Sequence, residues 1–129
     1  MGPIAKSLWV AGGAAIGANL RFWLGQCVAL LGSYTFPWAT FGINILGSLA
    51  IGVFYAWETN HAPNFGARLF FAVGVCGGFT TFSSFSLESL RLIEQGEWIA
   101  FICYVVGSVV LTIGACALGY FAMRGALQG

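Results

Sequence analysis

The sequence has very little charge. Of its 129 residues, five are Lys or Arg, four are Asp or Glu and one is His, so only 7% are charged, while 59% are hydrophobic. Soluble domains carry roughly a quarter of charged residues. A small soluble fold keeps too much of its surface in water to hide so apolar a composition. The composition therefore excludes a soluble domain, and the net charge of +1 argues against nucleic acid as a partner.

The sequence also lacks the residue groupings of an enzyme. It has no Gly-rich phosphate loop after a strand, no nucleophile with a plausible base and no metal-ligand spacing. The four cysteines lie inside apolar stretches without Cys-x-x-Cys spacing, and we interpret them as small apolar residues (Cys27, Cys76, Cys103, Cys116). We expect no catalytic residues.

What the sequence has instead is four long apolar runs. A helix that crosses the hydrocarbon core needs about 20 mainly apolar residues. Such runs cover roughly residues 4–31, 36–57, 68–93 and 98–123, joined by short connections, and tryptophans lie near several of their ends. The pattern predicts an all-α, multi-pass membrane protein in which residues 1–129 form a single transmembrane domain.

The third run has a centre that disfavours continuous helix. Residues 74–86 read GVCGGFTTFSSFS, with a glycine pair followed by hydroxyl residues. We expect the third helix to be broken at mid-membrane, which frees backbone carbonyls that need a partner in lipid. That partner is either an ion, as at many half-helix ends, or the Ser and Thr side chains of a simple kink.

Polar side chains repeat along the second and fourth runs at the i, i+4, i+8 spacing of one helix face. The two stripes are Thr40, Asn44 and Ser48, and Tyr104, Ser108 and Thr112. They serve either hydrogen bonds between helices or an anion path, since all these groups donate hydrogen bonds and none is charged. Phe82 and Phe85 share a face just after the expected break, either as packing residues or with their electropositive ring edges turned to an anion.

Three ionisable residues call for separate expectations. Arg21 is the only charge well inside a run, and it either attracts anions at a pore mouth or pairs with a helix C-terminus. Glu88 lies one turn beyond Phe85, and we expect it to reach the membrane interface. His61 lies in a connection, without a partner that the sequence identifies.

Three motifs resemble those of the small fluoride channels called Fluc or CrcB. Residues 77–85, GGFTTFSSF, resemble the signature of that family's third span, residues 17–21 its G-x-x-x-R motif, and residues 41–48 its N-x-x-G-S motif. The motifs occur in the family's order, and the likeness covers nearly the whole chain. Ser84 stands where the family often has Thr, which keeps the hydroxyl.

The resemblance implies a dual-topology homodimer of two antiparallel subunits in the inner (plasma) membrane, which exports fluoride through two pores. It implies that the fluoride pore is formed by Asn44, Phe82, Ser83, Phe85, Tyr104, Ser108 and Thr112, with Arg21 near an aqueous vestibule. It also implies a central structural sodium ion (Na⁺) on the backbone carbonyls of Gly77 and Thr80 from both subunits. The weak bias of positive charge between the two sides suits insertion in both orientations.

Three other interpretations compete with a fluoride channel. A small dual-topology multidrug exporter also has four spans, but it is expected to carry a membrane-embedded carboxylate, and the first run has none. A noncatalytic assembly subunit would not need a broken third span with matched polar stripes. A proton-coupled anion carrier would again need a buried carboxylate, which we do not expect here.

Overall fold

The computed structural model describes residues 1–129 and contains four helical spans and no strands. Its elements are α1 (Pro3–Leu31), α2 (Trp38–Thr59), α3 (Phe65–Ala67), a π-helix (Arg68–Cys76), α4 (Gly77–Phe79), α5 (Phe82–Glu94) and α6 (Trp98–Gln128). All four spans are long and apolar enough to cross a membrane, with α3 to α5 together forming the third. The predicted fold class is therefore confirmed.

The four crossings define two sides of the membrane. The N-terminus, the connection at residues 60–64 and the C-terminus share one side, which we call the N-terminal side. The connections at residues 32–37 and 95–97 share the opposite side. Most large apolar side chains point outward, with Ile99, Ile113 and Phe121 each more than 60% exposed, as expected for residues that face lipid.

The third span is broken, but not at the glycine pair. Gly77 is helical, at φ −64° and ψ −37°, and α4 continues through Gly78 to Phe79. The extended residues are Thr80 (φ −78°, ψ 157°) and Thr81 (φ −150°, ψ 113°). The break thus lies just after the glycines, at two β-branched residues that favour extended backbone. The nine residues before α4 form a π-helix, which the sequence pattern did not indicate.

Glycines bring α1 against the first half of the third span. A Cβ atom on Gly13 would collide with the carbonyl oxygen of Phe70, and one on Gly17 with that of Val75. From the other helix, a Cβ on Gly78 would lie 2.7 Å from the carbonyl oxygen of Ala14. Small residues let membrane helices approach closely, which matters because lipid provides no hydrophobic drive for association. These contacts hold the first half of the span in place.

A second glycine contact joins α2 to α6. A Cβ on Gly52 would collide with the carbonyl oxygen of Cys116, and one on Gly119 with that of Leu49. The fold therefore consists of two closely packed helix pairs, α1 with the first half of the third span and α2 with α6. The second half, α5, packs mainly on α6, so the break lies where the two pairs meet.

We predict that Gly17→Leu destabilises the protein, because the new side chain would enter space held by the backbone of Val75 and Phe79. Overpacking of this kind costs about 1–3 kcal/mol. Thermal unfolding in detergent should show a clearly lower midpoint. Gly25→Leu on the same helix is the control, because nothing lies within 4 Å of its Cβ position. Equal midpoints for the two variants would contradict the close contact.

Candidate functional site

Asn44 holds the break in the third span. Its side-chain nitrogen donates to the carbonyl oxygen of Thr81 at 3.2 Å, and its side-chain oxygen accepts from the Thr81 backbone N–H at 2.8 Å. One amide therefore pairs with both backbone polar groups of the residue where helical hydrogen bonding stops. This matters because unpaired backbone groups are costly in lipid. Opposite Thr80, Gly47 has no side chain, and a Cβ there would collide with the Thr80 methyl group.

Both helix ends at the break are capped by side chains. The Nε of Arg21 donates to the carbonyl oxygen of Gly78 at 3.1 Å, at the C-terminal end of α4. The hydroxyl of Thr81 accepts from the backbone N–H of Ser84 at 3.1 Å, as an N-cap of α5. Of the two roles considered for Arg21, the structure shows the pairing with a helix C-terminus, where its charge also suits the helix dipole.

Three carbonyl oxygens at the break remain free. The Thr80 backbone N–H and hydroxyl both donate to Cys76, and the bonds of Arg21 and Asn44 take the oxygens of Gly78 and Thr81. No hydrogen bond across the break ends on the carbonyl oxygens of Gly77, Phe79 or Thr80. Free carbonyls at the end of a half-helix suit a sodium ion. The oxygens of Gly77 and Thr80 therefore fit the chemistry of the cation that the resemblance implies.

A groove of about 380 Å³ runs along the break between α2, the third span and α6. It is open along one side of the chain. Seven of the ten predicted site residues line it: Asn44, Gly77, Thr80, Phe82, Phe85, Ser108 and Thr112. Ser48, from the polar stripe on α2, lines it as well. The packing of the two helix pairs thus brings the polar stripes and the phenylalanines to one surface.

The groove offers hydrogen-bond donors without charge. The hydroxyl of Ser108 is buried and has no partner within the chain. Thr112 turns its hydroxyl back to the Ser108 carbonyl oxygen at 2.6 Å. The ring of Phe82 is 79% exposed and lies 5.3 Å from that of Phe85, measured between centroids. Lipid tails offer no hydrogen-bond partners to the polar groups of this surface. We therefore expect another surface to shield the groove from lipid.

The other three predicted site residues lie beside the groove rather than on its surface. Tyr104 is fully buried behind it, with its ring 5.1 Å from that of Phe85. Ser83 is exposed, and its hydroxyl lies 3.3 Å from that of Thr81. Arg21 lies at the break, as described above. Their assignment to the fluoride pathway remains a prediction.

Glu88 is the site residue that sequence reasoning missed. Its carboxylate accepts from the Thr40 hydroxyl at 2.8 Å and from the Tyr104 hydroxyl at 2.6 Å. The expectation that Glu88 reaches the interface stays a prediction: these two donors hold its half-buried carboxylate, which also lines a cavity at that end of the bundle. The available signal was the one-turn spacing from Phe85, which puts Glu88 on the same face as the groove residues. His61 remains in its connection, where its ring stacks on Trp57 at 4.8 Å.

We predict that Asn44→Ala destabilises the protein, because it leaves the N–H and C=O of Thr81 unpaired inside the membrane. Each such group costs about 1–3 kcal/mol. Thermal unfolding in detergent should show the loss. Asn19→Ala is the matched control, since Asn19 is exposed and bonds only the carbonyl oxygen of Ala15 in its own helix. Asn44→Ala unfolding at the parent midpoint would mean that the break holds without this pairing.

Comparison with known proteins identifies the family of the chain. Residues 8–120 match the family model described as "CrcB-like protein, Camphor Resistance (CrcB)". The chain is 50% identical to the "Fluoride-specific ion channel FluC" of Paramagnetospirillum magneticum over 116 residues, which cover 88% of this chain and 91% of the relative. It is 46% identical to the protein of the same name from Phocaeicola vulgatus over 107 residues, which cover 83% and 88% of the two chains.

A third relative, the "Fluoride-specific ion channel FluC" of Nitrobacter winogradskyi, is 43% identical over 122 residues, covering 91% of this chain and 94% of the relative. These matches extend over all four spans and over the break with its groove. The family model and these relatives show that the chain, with its broken third span and the groove beside it, belongs to the CrcB-like family of membrane proteins.

Proposed function

We propose that this protein is a passive, fluoride-selective channel whose path runs along the groove at the break. The observation that carries the proposal is the groove itself, where uncharged donors and two phenylalanine rings line a surface inside an apolar bundle. The relatives named as fluoride-specific ion channels support the choice of ion. The protein is not an enzyme, since the family is one of channels.

The groove has the chemistry that a small anion needs. Fluoride is strongly hydrated, so a narrow path must replace its water with other donors. The free Ser108 hydroxyl and the second N–H of the Asn44 amide supply such donors, because only one amide N–H is used to hold Thr81. None of these groups carries a charge. They therefore pass an anion along without trapping it, as conduction requires.

Phe82 and Phe85 give the path its narrow, apolar part. Their rings lie 5.3 Å apart, and the ring of Tyr104 continues the row behind Phe85. Ring edges carry positive potential from the aromatic quadrupole and favour an anion without offering a full charge. An anion would pass along the edges of these packed rings, and a narrow path there favours fluoride over the larger chloride.

A second copy of the chain, inserted in the opposite orientation, is the proposed cover of the groove. Phe82 is 79% exposed in the single chain, although it lies among polar groups that lipid would satisfy poorly. The five cations are spread over both sides and the membrane interior, so neither orientation is strongly favoured. Two copies would form two pores, and the protein would lie in the plasma (inner) membrane.

A sodium ion at the break is part of the same proposal. The carbonyl oxygens of Gly77 and Thr80 would hold it, together with the same atoms of the second copy. Its chemistry would be structural, since its charge would offset the dipoles of the free carbonyls at the break. Arg21 and Asn44 donate hydrogen bonds to the neighbouring carbonyl oxygens, those of Gly78 and Thr81. The carbonyl oxygens of Gly77 and Thr80 are therefore left available for the ion.

The proposed physiological role is fluoride export. Hydrogen fluoride enters acidified cells as a neutral acid, ionises inside and leaves as the anion through the channel. A proton-coupled carrier remains the second candidate, because Glu88 is a half-buried carboxylate held inside the bundle. The two differ in one respect: a carrier would drive fluoride uphill on a proton gradient, and a channel would not. A multidrug exporter is disfavoured by the relatives' names.

We predict that liposomes containing the protein release fluoride rapidly and release chloride at the rate of empty liposomes. Phe82→Ile and Phe85→Ile should each slow fluoride efflux about three- to tenfold, because each removes one ring–anion interaction. An ion-selective electrode measures both anions. Phe121→Ile is the control, since its ring is 65% exposed on the outer face of α6. Folded parent protein that releases no fluoride would rule out the proposed function.

We predict that sodium stabilises the assembled protein. Replacing sodium with N-methylglucamine at equal ionic strength should lower the midpoint of thermal unfolding, and added sodium chloride should restore it, because a ligand of the folded state shifts unfolding by mass action. Choline chloride is the control for anion and ionic strength. Equal midpoints in all three salts would contradict a bound sodium ion.

A further inference from the structure

A second polar cavity, of about 480 Å³, lies on the opposite side of the membrane. It is lined by the connection between α1 and α2 and by the last turns of α5: Ser33, Tyr34, Thr35, Pro37, Glu88, Arg91, Leu92 and Gln95. Six of these eight side chains are polar or charged. The groove and this cavity share no lining residue, so the cavity is separate from the groove.

The cavity lies directly beyond the end of the groove. Phe85 lines the groove, its ring contacts that of Tyr104, and the Tyr104 hydroxyl bonds the carboxylate of Glu88, which lines the cavity. A chain of side-chain contacts through the buried Tyr104 therefore links the groove to the cavity.

Arg91 is the one cation on the opposite side of the membrane. Lys6, Arg68 and Arg124 belong to the N-terminal side, and Arg21 lies within α1 at the break. Three carboxylates share the opposite side with Arg91, namely those of Glu88, Glu94 and Glu97. Arg91 is therefore the only positive charge that an anion meets on this side.

The guanidinium of Arg91 has no partner in the chain. It forms no ion pair, since the chain's one salt bridge joins Arg68 to Glu58, and it makes no side-chain hydrogen bond. The hydroxyls of Ser33 and Thr35 in the same cavity are also without partners, and all three side chains are exposed. An unpaired guanidinium beside free hydroxyls forms a weak site for a hydrated anion.

We propose that this cavity is an anion entrance of the channel and that Arg91 is its recruiting charge. The inference rests on the proposed function, because it concerns how fluoride reaches the groove. Arg91 raises the local fluoride concentration against the field of the three carboxylates. It does not select fluoride over chloride, since an exposed guanidinium attracts either anion.

The test measures fluoride efflux from liposomes at a fluoride concentration low enough for entry to limit the rate. Arg91→Gln should slow efflux roughly two- to fivefold at low ionic strength, and the difference should vanish in high concentrations of potassium isethionate, which screens the charge. Arg91→Lys should keep the parent rate at both ionic strengths, because it keeps the charge. Size-exclusion profiles confirm that each variant is folded.

Glu94→Gln is the matched control, because Glu94 is exposed on the next turn of α5 and does not line the cavity. Because it removes a negative charge from the same side, it should not slow efflux. The proposal is overturned by a parent rate for Arg91→Gln, by a loss that persists at high ionic strength or in Arg91→Lys, or by an equally large loss of efflux in Glu94→Gln. Parent protein that carries no fluoride would instead refute the proposed function.

Discussion

The pairing of Asn44 with Thr81 is the interaction on which the rest of the site depends. A break inside a membrane helix leaves backbone donors and acceptors where no water can satisfy them. One amide on α2 satisfies both polar groups of Thr81, and Arg21 on α1 satisfies the Gly78 carbonyl. With these partners in place, the chain can keep an irregular segment at mid-membrane. The free carbonyls of Gly77 and Thr80, the N-cap of α5 and the direction of Phe82 all follow from it.

The position of Asn44 depends in turn on how the helices approach one another. Glycines at two contacts bring α1 against the first half of the third span and α2 against α6. Side chains larger than hydrogen at Gly13, Gly17 or Gly52 would separate these backbones, and hydrogen bonds of about 3 Å across the break would be lost. The groove is therefore a product of close backbone packing, and its polar lining comes from the two stripes that this packing brings together.

Much of this arrangement could be predicted from the sequence, because apolar runs, helical spacing and a cluster of helix-disfavouring residues are local signals. They indicated four spans, a broken third span and two polar stripes, of which Asn44, Ser108 and Thr112 do line the groove. Within the stretch before Phe82, where the break was expected, the sequence did not show that the glycine pair stays helical, because α1 packs on Gly78. Glu88 was missed for a similar reason: its two donors, Thr40 and Tyr104, come from other helices, and no local pattern shows that they meet at one carboxylate.

An experimental structure of the protein in lipid, determined in the presence of fluoride, tests most directly whether the groove is half of a pore. We expect two antiparallel copies that cover each other's grooves, with anion density beside Asn44, Phe82 and Ser108. Sodium density should lie between the carbonyls of Gly77 and Thr80 of both copies. Acyl chains in the groove, or two copies in parallel orientation, would contradict this arrangement.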